Sequence, residues 1–102
     1  MNSPLEKTIV AAIMRGLKAR GVRWMVKTHG GPYQTAGLPD IIAVAPGSGR
    51  LLGIEVKRPT ELQKATLARI NAAGGVAGVA FGIEDALVLL KKATGGEGDD
   101  AN

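Results

Sequence analysis

A chain of 102 residues with 45% hydrophobic content has room for one modest core and a single domain. It contains no cysteine, which excludes disulfides and thiolate zinc sites and is consistent with an intracellular, cytoplasmic setting. No apolar run approaches the ~18 residues of a membrane span, and the N-terminus lacks a secretory h-region, so no membrane partner is expected. The net charge of +4 is unevenly spread, with +5 over residues 1–38 and −3 from Glu84 onward, which leaves a body of about +7 without the three tail acids. A basic body suits a polyanionic partner, and it equally suits a solvated surface with an acidic solubilising tail.

The elements follow in order. Ser3-Pro4 reads as an N-cap with proline at the first helical position, and Leu5, Ile9, Val10, Ile13 and Leu17 keep the helical period to about Arg20, with Gly21 as the stop. Val22 to Lys27 predicts a strand, followed by a loop through His29-Gly30-Gly31-Pro32 to about Leu38. Asp40–Ala45 and Leu51–Lys57 are short, β-branched and bounded by turn residues, so both predict strands. Pro46-Gly47-Ser48-Gly49 joins them as a hairpin, which makes the pair antiparallel. Pro59 ends the second strand and Thr60 caps a helix to about Ala73, where Gly74-Gly75 terminate it. Val76–Phe81 predicts a fourth strand, reached by a crossover and therefore parallel to the third. Ile83–Lys92 predicts a last helix, and residues 95–102 have too little to bury and are expected to be a disordered acidic tail. The expected fold class is α/β, a mixed sheet flanked by helices in the order α-β-β-β-α-β-α, with residues 1–94 as the one domain.

The chemistry gathers on the two central strands. Asp40 heads one apolar run and Glu55-Val56-Lys57 ends the next, so two carboxylates and a lysine converge on one patch of a small sheet. Alternation places Glu55 and Lys57 on one face and Leu52, Ile54 and Val56 on the other, with the Val56 carbonyl between as a further oxygen donor. Carboxylates held close together repel unless a hard cation, a lysine or protons intervene, as in metal-dependent phosphodiesterases. Glu6 shares the helical stripe of Val10, Ile13 and Leu17, where an acid is rare unless paired or metal-bound. The alternative is a first-turn glutamate favoured by the helix dipole. Gln63 lines up with Leu67 and Ile70 and aims inward, while Thr60-Glu61-Leu62-Gln63 also fits a capping box, which would use the same side chain on backbone.

Glu6, Gly37-Leu38-Pro39-Asp40, Ile54-Glu55-Val56-Lys57, Gln63, Ala73-Gly74-Gly75-Val76 and Glu84-Asp85-Ala86 together resemble the VRR-NUC family of the PD-(D/E)XK nuclease superfamily. One departure stands out: Arg58-Pro59-Thr60-Glu61-Leu62 is shorter than the glycine-containing loop usual before the glutamine. The resemblance implies a restriction-endonuclease-like fold and divalent-metal-dependent cleavage of DNA. Small stand-alone members, often from phages, look like homodimeric nucleases acting on branched DNA such as Holliday junctions. On this reading Asp40, Glu55 and the Val56 carbonyl hold Mg²⁺ or Mn²⁺, with Glu6 joining directly or through water. Lys57 orients the attacking water or neutralises developing charge, and Gln63 positions a water or Lys57. Lys27, Arg58 and Lys64 are candidate phosphate contacts. His29, Tyr33 and Gln34 are candidate DNA contacts, set against ordinary loop packing, while Arg15, Lys18 and Arg20 read as a solvated helix face. The competing functions are a catalytically silent DNA-binding module on the same fold and an exonuclease or restriction-type nuclease.

Overall fold

The computed structural model of the chain describes residues 4–28 and 35–95. Its elements are α1 (Pro4–Ala19), β1 (Met25–Lys27), β2 (Ile41–Val44), β3 (Leu51–Val56), α2 (Glu61–Ala72), β4 (Val76–Ala80) and α3 (Ile83–Ala93), in the expected order. The strands form one mixed sheet, ordered β1-β2-β3-β4, in which β1/β2 and β2/β3 are antiparallel and β3/β4 parallel.

Where boundaries differ from expectation, a competing hydrogen bond is usually responsible. Val22 does not start a strand, because its N–H donates to the Leu17 carbonyl at 3.1 Å while the Gly21 N–H donates to Lys18. That pair of bonds, with Gly21 at φ 95°, closes α1 in a Schellman motif, and Gly74 and Gly75 close α2 in the same way. Phe81 lies beyond β4, with its N–H taken at 2.9 Å by Oδ2 of Asp85 in the first turn of α3. Lys57 lies beyond β3 with φ 69°, in the left-handed region that an extended strand cannot contain.

The sheet is covered unequally. On one face α1 and α3 bury Ile13, Leu17, Ile41, Ala43, Leu52 and Ile54 completely, and Val10, Val56 and Leu90 nearly so, in one continuous core. Shielding these side chains from water is the main stabilising force in a molecule this small. On the other face α2 packs on β3 and β4, and Leu67 is its single buried residue. Gly53 lets Ile70 and Pro39 approach the sheet there, since a Cβ would stand 3.1 Å from a carbon of each. Asn71 ties α2 to β4 by exchanging two bonds with the Ala77 backbone.

The β2–β3 hairpin is pinned at its tip. Ser48 Oγ donates to the Ala93 carbonyl at 2.6 Å, and Arg50 donates from Nε to Gly74 O and from Nη1 to Lys92 O, each at 3.0 Å. The guanidinium thus satisfies carbonyls at the C-terminal ends of two helices, where the helix dipole favours a cation. Among the described residues no helix is long and apolar enough to cross a membrane.

Candidate functional site: a buried carboxylate pair

The strand register brings the two acids together. Ile41 pairs with Ile54, so Asp40, one residue before β2, falls opposite Glu55 on the face that α2 covers. Asp40 is 5% exposed and Glu55 4%. Glu55 lies on the face opposite Ile54 as alternation predicts, and α2 makes that face an interior one. The backbone partly compensates the buried charge. The Val56 N–H donates to Asp40 Oδ2 at 2.9 Å, and the Asp40 N–H donates to Glu55 Oε1 at 3.2 Å, so each strand holds the other's carboxylate.

Gln63 completes the arrangement and fulfils both readings of its sequence context. Its Oε1 accepts from the Thr60 N–H at 2.8 Å while Thr60 Oγ1 accepts from the Gln63 N–H at 3.1 Å, which is a capping box. Its Nε2 then donates to Glu55 Oε1 at 3.0 Å and to the Leu38 carbonyl at 3.3 Å. Thr60 N–H can only donate, so it fixes the amide oxygen toward itself and turns the NH₂ toward the carboxylate. The short connection after β3 therefore delivers Gln63 to the site.

Two further residues support the pair. Thr28 is buried, and its register opposite Asp40 explains why: its N–H donates to Asp40 O at 2.9 Å and its Oγ1 to Pro39 O at 2.6 Å. A lone threonine after a strand carries no such signal until the β1/β2 register is known. Gly37, at φ 89°, packs so closely on α2 that a Cβ would stand 2.7 Å from Leu62 Cγ, which presses the approach to Asp40 against that helix.

The electrostatics follow from burial. The Glu55 carboxyl is pushed up from 4.5 to about 8, first by loss of water and next by the neighbouring Asp40 charge. Hydrogen bonds from the Asp40 N–H and Gln63 pull it back in part, and the Glu6 charge pushes it further up. Near neutral pH the pair thus has to share a proton or meet a cation.

The remaining expected residues are placed less uniformly. Glu6 is half-buried in the first turn of α1, close enough to act on Glu55 through its charge. Among the described residues no three histidine, cysteine or carboxylate side chains gather as a metal-holding group. Val56 is the last residue of β3, tied to Asp40 by its N–H. Lys57 does not continue the alternation that was to align it with Glu55; its N–H donates to Ala80 O at 3.0 Å and its backbone turns away at φ 69°. Lys27 is exposed, and its pairing with Ile41 puts it on the face opposite Asp40. Arg58 is exposed, and Lys64 makes an exposed 3.0 Å ion pair with Glu61 that contributes little. His29, Tyr33 and Gln34, Ser3, and the tail from residue 96 lie outside the described residues.

The donor set at the pair is all oxygen, which suits a hard cation; Mg²⁺ in particular is held by one or two carboxylates and keeps several waters. The residues present fit such an ion, because a divalent charge would offset the repulsion that lifts Glu55. No family model, no curated sequence and no solved structure matches this chain.

Proposed function

We propose that the protein is a divalent-metal-dependent DNA endonuclease of the VRR-NUC type, acting on branched DNA, with the Asp40–Glu55 pair as its centre. The observation that carries this reading is the pair itself: two carboxylates under a tenth exposed, opposite one another across β2 and β3, with Glu55 lifted to about 8. A purely structural site gains nothing from forcing two acids together, whereas one that takes up a cation does. Asp40, Glu55 and the Val56 carbonyl would hold Mg²⁺ or Mn²⁺, which when bound polarises the scissile phosphate and makes bound water more acidic. Gln63 fixes the Glu55 carboxylate in place. Lys57, just beyond the carboxylate strand, supplies positive charge to the phosphate, and Glu6 tunes the pair from a distance. A homodimer would supply the two symmetric cuts that a four-way junction requires.

A catalytically silent DNA-binding module is the second reading, favoured by the backbone N–H groups and the Gln63 amide that already engage both carboxylates without a cation. The deciding experiment is cleavage of a labelled four-way junction and a matched linear duplex by wild type and Asp40→Ala, with Mg²⁺, Mn²⁺ or EDTA. Paired junction nicks that vanish with EDTA and in the variant are the expected result. Binding without cleavage under any metal would leave the silent module, and cutting only from ends, with closed circles spared, would make it an exonuclease.

A further inference from the structure

The face that holds the carboxylates continues past the edge of α2 as an uncovered apolar strip. The β1/β2 register extends to Trp24 opposite Val44, where the Val44 N–H donates to Trp24 O at 3.1 Å, and Val44 pairs with Leu51. Trp24, Val44 and Leu51 therefore form one cross-strand row on the Asp40–Glu55 face, 48%, 37% and 38% exposed. Next to the row, between β3 and α2, runs a groove of about 430 Å³ whose lining includes Arg50, Leu51, Arg69 and Ile70. Four steps along the strand lead from Trp24 to Thr28, the neighbour of Asp40, which is ~13 Å at the usual rise. That span equals about four stacked nucleotides at ~3.4 Å each, or fewer on a stretched strand.

We infer that this strip is a stacking platform for unpaired nucleotides of the DNA strand whose phosphate reaches the carboxylate pair, with a base lying on Trp24. The inference rests on the nuclease reading for the role of the pair, and it adds the single-stranded character of the DNA beside the cut. Charge chooses the occupant. The residues lining the groove beside the row include two arginines, Arg50 and Arg69, and no acid, so the charge next to the strip is positive. An exposed aromatic among cations is the arrangement that binds single strands, through stacking on the ring and charge on the backbone. Size argues against a second copy of the chain. Three partly exposed side chains offer on the order of 200–300 Å², well short of the ~800 Å² per partner of a stable protein interface.

Trp24 is the sole tryptophan, so its emission reports the platform directly. The full-length protein is titrated in EDTA with a ~20-nucleotide oligothymidylate and with a blunt duplex, following fluorescence and anisotropy. The oligothymidylate is expected to quench Trp24 and the duplex to leave it largely unquenched. Trp24→Ala, checked for folding by circular dichroism, is expected to weaken oligothymidylate binding about tenfold, with Trp24→Phe recovering most of the loss. Binding without quenching overturns the inference, and the wild-type titration shows this even if Trp24→Ala fails to fold. A blue shift that grows with protein concentration, together with a dimer lost in Trp24→Ala, also overturns it and assigns the strip to a second copy. Quenching without metal-dependent cleavage leaves the platform standing and removes the nuclease reading; cleavage without quenching does the reverse.

Discussion

At the residue scale, Glu55 decides how the molecule responds to pH. In the unfolded chain it titrates near 4.5 and in the folded protein near 8. Below about 4.5 it is protonated in both states and carries no penalty. Between 4.5 and 8 the folded state holds a proton that the unfolded state has lost, so stability falls as pH rises, and above 8 the loss is complete. Glu55→Gln keeps an oxygen for the Asp40 and Gln63 donors without the charge. In EDTA the wild-type melting temperature is therefore expected to drop across this window relative to Glu55→Gln, which becomes the more stable protein at pH 8. Mg²⁺ should restore the wild type and leave the variant unmoved. Thermal melts at stepped pH, with and without Mg²⁺, check both statements.

At the scale of elements, a single amide ties the start of α2 to the carboxylate pair. Gln63→Ala removes one half of the capping box and the donor to Glu55, and is expected to cost about 1–2 kcal/mol. Gln63→Glu keeps an acceptor for the Thr60 N–H but places a third carboxylate against the pair, so its loss should be larger at pH 8 than at pH 5. Urea titrations at the two pH values separate the variants. Both sequence readings of Gln63 hold, because an amide has an accepting end and a donating end and the helix start uses only the first. The helix and strand limits were legible wherever one pattern spoke alone, as in the hairpin and the Thr60 cap. They failed at Val22, which a local bond took to the end of α1, and at Lys57, which took a left-handed backbone that a β-branched run does not announce. Thr28 was invisible for a different reason, since its role exists only through the register that sets it beside Asp40.

At the scale of the whole molecule, the order of elements and the mixed pairing of the sheet could be read from periodicity and turn residues. The depth to which α2 buries the two acids could not. Helix α2 buries only Leu67, and so weak an apolar stripe gives little sign that it roofs the carboxylates. That roof, rather than the acids alone, turns the pair from a solvated patch into an interior site. Placing the pair under it also links the site to the core on the opposite face, because β3 serves both.

The hydrogen-bonded parts of the site, Asp40, Glu55 and Gln63, all lie in one hairpin and the helical turn that follows it. Such near neighbours in sequence meet early as a chain folds, while β4 and α1 come from farther along it. The two acids can thus find each other while still wet, and the cost of drying them falls on the last step, when the roof and the parallel strand close. A penalty absent from the transition state accelerates unfolding and spares folding. Chevron plots at pH 5.5 and 8.5 in EDTA should show the refolding limb little changed and the unfolding limb faster at the higher pH. The protein would then be kinetically short-lived with its two acids uncompensated and long-lived with a cation between them, a clock set by two side chains.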